Sequence, residues 1–412
     1  MQFSKIGGTN RLFELECLRG FAAAYVVAFH VLRPELQTYS YLLSVPLRFG
    51  QEAVIVFFVL SGFVIRYSWV TATERNWQKY VIARVVRILP IFIAALVVSY
   101  FCAVSLRGDL IDPDLRALAG NLAMLQDRPR VGTIVEPYLG NAALWSLSYE
   151  CAFYALYIVV IQFVPRQLRT PTVAVVSTAA FLLMLAYPNQ FARFFAYFPI
   201  WWVGVVLCDV HLGRTGHREI AFAIAPVALM GAILLALTLR AEITLEVGAS
   251  VLFPFLELRH FTAALAVTAL LLGWGRLGWS NFASLLGPFA KLAPVSYAIY
   301  VVHFPIMTGW RESLPVPFWL GVLLTGTLTL GLSIVLEGPY QKWVGRHVRR
   351  FFTGPLPTTG GSSGGQTSGN CARPLFILGT VVLLGLWLNP TTIRSARPTD
   401  MHSLQRGYEG PK

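Results

Sequence analysis

Long apolar runs recur along this chain from one end to the other, and they limit the folds that are open to it. A stretch of about 20 apolar residues is long enough to cross a bilayer as a helix. Of the 412 residues, 56% are hydrophobic and only 13% are charged, against about 25% charged in a typical soluble domain. A soluble protein of this size could not cover its surface with so few charges. The sequence therefore predicts an all-α, polytopic integral membrane protein.

The runs define about ten transmembrane helices and one further helix near the C-terminus. The predicted spans are 15–34, 53–70, 88–106, 143–164, 172–187, 194–212, 220–238, 260–275, 290–309, 317–336 and 374–389. Residues 1–350 form the predicted transmembrane domain. A Gly/Ser/Thr-rich linker at 351–373, the additional transmembrane helix at 374–389 and a polar tail at 390–412 follow it.

The charges between the spans predict how the chain lies in the membrane. The stretch between the second and third spans carries five basic residues and one glutamate, whereas the loop at 107–141 carries four arginines and five carboxylates. If successive loops lie on alternate sides of the membrane, the later basic clusters lie on the same side as the stretch between the second and third spans. Cytoplasmic loops are enriched in Lys and Arg, so we expect this side and the N-terminus to be cytoplasmic. The start of the chain lacks the apolar core of a signal peptide, so the first span is expected to remain as an anchor.

The basic character of the chain and its cysteines indicate no further class of ligand. The net charge of +13 follows from the enrichment of cytoplasmic loops in Arg and Lys, and we expect no nucleic-acid partner. The five cysteines lie mostly within apolar spans and lack the spacing of metal ligands. Neither a disulfide framework nor a bound metal is predicted, and the oligomeric state stays open.

Two ionisable residues lie within the first span, in the stretch LECLRGFAAAYVVAFHVL. Arg19 and His30 are eleven residues apart. At about 100° and 1.5 Å per residue, they face the same side of a helix and are separated by about 16 Å along its axis. We predict that both line one interior path, Arg19 near its cytoplasmic end and His30 towards its outer end. The alternative is that Arg19 reaches the headgroups and His30 is structural.

Two later spans carry polar residues at helical spacing. Ser146 and Glu150, in LWSLSYECAFYAL, are four residues apart and share one helix face. Ser296, Tyr300 and His303 form a polar stripe in PVSYAIYVVHFPI. A carboxylate inside a span is costly, which favours a functional role for Glu150, although an ion pair with an arginine would also account for it. Tyrosine is common at membrane interfaces, so the stripe by itself does not define a site.

The second span and the basic stretch after it add one small residue pair and two arginines. Ser61 and Gly62, in FFVLSGFVIR, allow another helix to approach closely. Arg84 and Arg87, in ARVVR, are three residues apart and suit a polyanion such as a phosphate group. The alternative is that these arginines only reflect the enrichment of cytoplasmic loops in basic residues.

Taken in order, these stretches resemble the acyltransferase-3 family of integral membrane acyltransferases, which O-acylate bacterial cell-surface and secreted glycans. The resemblance covers about residues 11–350 and rests on six motifs. The motifs are Arg19-Gly20 through His30; Phe57-Phe58-Val59-Leu60-Ser61-Gly62-Phe63; Arg84 and Arg87 with Pro90; Trp145, Ser146, Leu147, Glu150, Phe153 and Tyr154; Ser296, Tyr297, Ile299, Tyr300, His303 and Pro305; and Glu337 with Pro339. The chain departs from the family's pattern at Ala53, Ile55 and Cys151.

The resemblance implies a protein of the bacterial inner membrane that moves an acyl group, most often acetyl, from cytoplasmic acyl-CoA to a carbohydrate hydroxyl outside the cytoplasm. Its partners would be acyl-CoA as donor substrate, the lipid bilayer, and a glycan or lipid-linked saccharide as acceptor. No metal cofactor is implied. Within this class, a small-molecule acceptor such as a macrolide or a lipo-oligosaccharide signal is the alternative.

The resemblance also implies roles for individual residues. His30 would be the general base for the acceptor hydroxyl, and Glu150 would orient His30 or stabilise its protonated form. The donor-binding residues would be Arg19, Arg84, Arg87 and Ser61. The residues that position the acceptor or the oxyanion would be Trp145, Ser146, Tyr300 and His303. Transfer directly to the acceptor and transfer through a covalent intermediate on Ser61 or Ser146 both stay open.

Two other classes of membrane protein fit part of the pattern. Intramembrane Arg, Glu and His are equally natural in a proton-coupled transporter, but such folds carry inverted repeats, which are not visible in this sequence. A membrane scaffold without catalytic activity would have no need of ionisable groups inside its spans.

Overall fold

The structure, a computed structural model, describes residues 3–7, 11–244, 254–313 and 316–353. Within these ranges the chain is helical and forms no β-strand beyond isolated bridges, which confirms the predicted all-α class. The helices are α1 (Phe13–Val31), α2 (Arg33–Tyr39), α3 (Tyr41–Ser44), α4 (Gly50–Thr71), α5 (Trp77–Arg107), α6 (Leu115–Leu122), α7 (Trp145–Phe163), α8 (Arg169–Ala186), α9 (Gln190–His211), α10 (His217–Thr244), α11 (Phe255–Arg276), α12 (Phe282–Leu286), α13 (Ser296–Ser313), α14 (Phe318–Val335) and α15 (Gln341–Thr353). The predicted C-terminal helix and polar tail, and the predicted linker beyond Thr353, lie outside the described residues.

The described ranges contain eight helices that are long and apolar enough to cross a membrane, or up to ten if two bent pairs each count as one span. The first bent pair is α1 with α2, at 49°, and the second joins Phe282–Lys291 to Ala293–Arg311, at 43°. The first predicted span, 15–34, includes the bend of this pair, because α1 ends at Val31 and the chain turns just before Pro34. Proline lacks the backbone N–H that would continue the helix.

Helix α5 begins eleven residues before its predicted span, which places Arg84 and Arg87 on a helix rather than in a loop. The side chain of Asn76 starts the helix by accepting hydrogen bonds from the backbone N–H groups of Gln78 and Lys79. The sequence did not predict this early start, because residues 77–87 of α5 are too basic to count as part of an apolar span. Helix α15 packs along it, and Gln341 Nε2 donates to the Arg87 carbonyl over 3.1 Å.

Helix α9 is almost entirely buried and packs backbone to backbone against α4. A Cβ atom placed on Gly204 would lie 2.0 Å from the Val59 carbonyl oxygen, and one on Gly62 would lie 2.0 Å from the carbonyl oxygen of Trp201. Close approach at small residues is how membrane helices gain van der Waals contact without a hydrophobic driving force. The glycine predicted to allow helix approach, Gly62, does so.

Replacing Gly204 with alanine is expected to destabilise the α4–α9 contact by about 1–3 kcal/mol, because the added methyl group overlaps backbone atoms. The matched control is Gly326→Ala on α14, where no described atom lies within 4 Å of the added carbon. That control is expected to be neutral or slightly stabilising, since alanine favours a helix. The measurement is the apparent unfolding temperature of both purified variants in detergent. Equal temperatures for the two variants would contradict the assigned contact.

Candidate active site

The polar stripe on α13 is the centre of the site. Each of its three residues faces a polar side chain from another helix: Ser296 meets Arg19 at 3.3 Å, Tyr300 meets Ser146 at 2.8 Å, and His303 meets His30 at 3.1 Å. Arg19 and His30 therefore both point at α13, as their spacing on α1 predicts. The contacts form a ladder of polar groups through the interior of the bundle.

The hydrogen bonds of the two histidines define which ring nitrogens carry hydrogen. His303 Nδ1 lies 3.1 Å from the Ile299 carbonyl oxygen, which can only accept, so Nδ1 is the protonated nitrogen and Nε2 an acceptor. His30 Nδ1 lies 3.0 Å from the Val26 carbonyl oxygen and 3.1 Å from His303 Nε2. Both neighbours are acceptors, so the hydrogen of His30 is on Nδ1. The Nε2 atom of neutral His30 is left with a free lone pair.

The two histidines differ in their access to solvent. His303 is fully buried, whereas His30 is only partly buried, with the rings of Phe29 and Phe304 packed edge-on against it. His30 therefore keeps some solvent exposure, and the fully buried His303 is its hydrogen-bond partner. An imidazole with a free Nε2 and a fixed Nδ1–H has the arrangement of a general base.

Glu150 does not contact His30. Its Oε1 atom accepts from Ser61 Oγ at 2.9 Å and from the hydroxyl of Tyr154. Glu150 therefore does not orient His30 by direct contact, and His303 is the hydrogen-bond partner of His30; stabilisation of protonated His30 by the charge of Glu150 stays a prediction. The physical reason is the depth of each group in the bundle. Ser146 on α7 pairs with Tyr300 on α13. Glu150 lies one helical turn from Ser146 along α7, and His303 lies one helical turn from Tyr300 along α13.

Arginine side chains gather at the opposite end of the ladder. Arg19 donates from Nη2 to the Ala293 carbonyl oxygen at 2.7 Å, and Arg87 lies 3.6 Å from the buried carboxylate of Glu337. Glu337 in turn accepts from the backbone N–H of Ala298 at the start of α13. Arg84 forms no side-chain hydrogen bond or ion pair with any described residue, and its Nε atom is buried. Its charge is therefore available to a ligand.

A cavity joins these groups. Apolar side chains, among them Val54, Phe57 and Leu60, form much of its wall. Its polar lining comes from Arg19, Ser61, Arg84, Arg87, Ser146, Glu150, Tyr154, Ser296, Tyr297 and Tyr300. The cavity runs from the arginines to the Ser146–Tyr300 pair, one helical turn from His303.

A second polar cluster surrounds Trp145. The guanidinium carbon of Arg128 is 4.3 Å from the centre of the Trp145 ring, and the His260 ring stacks on the same indole at 5.9 Å. Gln51 Oε1 accepts from both Arg128 Nη1 and His260 Nε2. Burial, followed by the positive charge of Arg130, lowers the pKa of Arg128 from its ordinary value.

An ion-pair network attaches the segment at 107–141 to three helices of the bundle. Fully buried Asp127 accepts from Arg193 Nε at 3.0 Å, from Arg130 Nη2 at 3.1 Å and from the Tyr149 hydroxyl at 3.0 Å. Arg130 also binds Glu257 on α11 at 2.5 Å. A network in which each charge is paired is the usual condition for burying charges in a bundle.

The site residues of α1, α7 and α13 are predictable from the sequence, whereas Gln51, Arg128 and His260 are not among the predicted residues. The sequence does not single out these three residues, and the reason differs between Arg128 and the other two. Arg128 is one of four arginines in a loop without periodicity, so nothing in the sequence separates it from the other three. Gln51 and His260 each stand near the end of a span, where polar residues are ordinary.

The fold and the ladder of polar groups define a polytopic membrane protein with a hydrogen-bonded pair of histidines in its interior. The chain belongs to the acyltransferase-3 family, because the profile of this family, described as an acyltransferase domain, matches residues 12–338. The protein is therefore a membrane acyltransferase, and the transporter and scaffold alternatives are set aside. Comparisons with curated proteins and with solved structures find no match.

Proposed function

We propose that the protein is an O-acyltransferase of the bacterial inner membrane, with its N-terminus in the cytoplasm. It moves an acyl group, most simply acetyl, from acyl-CoA on the cytoplasmic side to a hydroxyl of a carbohydrate on the outer side. The observation that carries the proposal is the His30–His303 pair, whose hydrogen bonds leave His30 Nε2 free as a base.

In the proposed reaction, the acceptor hydroxyl donates its proton to His30 Nε2 while its oxygen attacks the thioester carbonyl carbon. The carbon–oxygen bond forms, and the carbonyl electrons move onto oxygen to give a tetrahedral oxyanion. When the oxyanion collapses, the carbon–sulfur bond breaks, and the thiolate of CoA takes the proton from His30. The hydrogen bond from His30 Nδ1 to His303 Nε2 becomes stronger while His30 carries positive charge.

The groups between the donor and the base have supporting roles. The hydroxyls of Ser146 and Tyr300 are hydrogen-bonded to each other at the end of the cavity. One O–H is used in this bond, and the other would donate to the oxyanion. Ser61 with Glu150 is the candidate relay if the acyl group first forms an ester with the protein, since the carboxylate accepts the serine proton. Ser146 lacks a carboxylate of this kind among its hydrogen-bond partners in the described chain.

The donor end of the proposal rests on Arg19, Arg84 and Arg87. Acyl-CoA carries several phosphates, which arginine binds with charge-assisted, geometrically matched hydrogen bonds. The apolar wall of the cavity would accommodate the acyl group and the thioester, so the phosphates would stay at the arginines while the thioester lies near Ser146 and Tyr300.

The proposal is tested with inside-out membrane vesicles that contain the protein and radiolabelled acetyl-CoA. We expect label to enter the glycan fraction as an ester that hydroxylamine removes. The glycans of cells with and without the gene should differ by the mass of one acyl group per modified unit. Labelled glycan that resists hydroxylamine, or identical glycan profiles, would contradict O-acylation of a carbohydrate.

Within the same assay, Arg84→Ala is expected to raise the KM for acetyl-CoA about tenfold and to leave kcat nearly unchanged, since the guanidinium binds the donor away from the reacting atoms. Arg75→Ala is the matched control. It removes the same charge from an exposed position just before α5. A similar rise in KM for both variants would indicate a general effect of charge and would contradict a specific donor contact at Arg84.

A further inference from the structure

Arg128 lacks a carboxylate partner among the described residues, whereas Arg130, Arg193 and Arg259 each have one. Arg130 pairs with Asp127 and Glu257, and Arg193 pairs with Asp127. Arg259, at the start of α11, pairs with Glu52 at 2.6 Å. No carboxylate of the described residues pairs with the guanidinium of Arg128, although it is partly buried. A partly buried charge without a partner is costly unless a ligand supplies the partner.

The guanidinium of Arg128 is nonetheless held in one place. It lies on the face of Trp145, and its Nη1 atom donates to Gln51 Oε1. Gln51 is itself fixed by His260 Nε2 at 3.1 Å, and the other ring nitrogen of His260 lies 2.8 Å from the Tyr197 hydroxyl. These contacts use one terminal nitrogen and leave Nε and Nη2 without a partner in the described chain. The two free N–H groups form the edge that matches the two oxygens of a carboxylate.

Arg128 is connected to the proposed reacting groups through Trp145. The tryptophan beneath it, Trp145, is followed directly by Ser146, which bonds to Tyr300. Burial and the charge of Arg130 lower the pKa of Arg128, which agrees with a cation whose charge is poorly compensated. Arg128 therefore stacks on the residue that precedes Ser146, and Ser146 bonds to Tyr300, one helical turn from His303.

We propose that Arg128 binds the carboxylate of an acidic sugar residue in the acceptor, and that the enzyme acylates carbohydrates of the uronic-acid type. This inference rests on the proposed function, which brings the acceptor in from the side of His30. The carboxylate that binds Arg128 could instead belong to the acyl group of the donor, but this arrangement is less favourable. To reach Arg128 from the donor end, that carboxylate would have to pass the apolar wall of the cavity and the carboxylate of Glu150.

A binding experiment on the purified full-length protein in detergent tests this assignment without the need for acyl transfer. The probes are glucuronate and glucose, which differ in the carboxylate. We expect glucuronate to raise the apparent unfolding temperature of the wild type more than glucose does. In Arg128→Gln, we expect the affinity for glucuronate to fall about tenfold, which corresponds to the loss of about 1.4 kcal/mol. The affinity of Arg128→Lys for glucuronate should lie between those of the wild type and Arg128→Gln, because lysine keeps the positive charge but cannot form two parallel hydrogen bonds to a carboxylate.

Arg116→Gln is the matched control, since it removes an exposed arginine from the same segment of the chain. It should bind glucuronate as the wild type does. No preference of the wild type for glucuronate over glucose would overturn the proposal, as would equal losses in Arg128→Gln and Arg116→Gln. A third overturning result is a preference for succinyl-CoA over acetyl-CoA that Arg128→Gln abolishes, because the carboxylate would then belong to the acyl group. Loss of acyl transfer in a protein that still binds glucuronate would count against the proposed function alone.

Discussion

Replacing His30 with alanine is expected to reduce acyl transfer from acetyl-CoA by about 10²–10⁴-fold, the contribution of a positioned general base. A sugar hydroxyl is a poor nucleophile, and His30 Nε2 is the one free basic nitrogen that the His30–His303 pair presents to a substrate. The KM for acetyl-CoA should change little, because the donor arginines are untouched. The measurement is the initial rate of label transfer in membranes that contain equal amounts of inserted protein.

Two companion variants make the result specific. His347→Ala removes an exposed histidine from α15 and should keep full activity. His303→Ala should cost less than His30→Ala, because the Val26 carbonyl still accepts from His30 Nδ1 and keeps Nε2 free. Near-full activity of a correctly inserted His30→Ala protein would show that the base has been wrongly assigned. If Ser61→Ala were then inactive, the covalent relay with Glu150 would become the better mechanism.

Replacing Asp127 with asparagine is expected to lower the free energy of unfolding by about 3–5 kcal/mol. Asparagine occupies nearly the same volume, but it leaves the positive charges of Arg193 and Arg130 without the carboxylate that both contact. Arg193 is 3% exposed, so water cannot take over the role of Asp127. The segment at 107–141 should detach from α7, α9 and α11, and the apparent unfolding temperature in detergent should fall.

The comparison for this prediction is Asp112→Asn, which makes the same chemical change at an exposed position of the same segment. It is expected to shift stability by no more than about 0.5 kcal/mol. Equal stability of the two variants would show that the network around Asp127 contributes little. A stable Asp127→Asn protein with lost glucuronate binding would instead indicate that the network serves mainly to position the neighbouring Arg128.

The relations that were predictable from sequence are those within one helix. The rule of about 3.6 residues per turn placed Arg19 and His30 on one face of α1, and it aligned Ser296, Tyr300 and His303 on α13. Both predictions agree with the contacts in the structure. They succeed because the periodicity of a helix is local and does not depend on what packs against it.

Relations between helices were not predictable in the same way. The sequence offers Glu150 and His303 equally as partners for His30, because both lie on polar faces near the outer ends of their spans. In the packed bundle His30 forms its hydrogen bond with His303, and Glu150 forms hydrogen bonds with Ser61 and Tyr154. The relative depth of two helices depends on contacts such as Gly204 against α4, and no single-span pattern contains that information.

The sequence alone determined that this chain is a helical membrane protein of the acyltransferase-3 type, and it indicated which helix faces are polar. Apolar length, helical period and motif order are properties of the chain itself. Only the tertiary structure decided which polar groups meet, which nitrogen of His30 is free, and that Arg128 has no carboxylate partner among the described residues whereas Arg130 and Arg193 have one. Such pairings depend on how far apart two side chains lie across helix interfaces, and those distances exist only once the helices have packed.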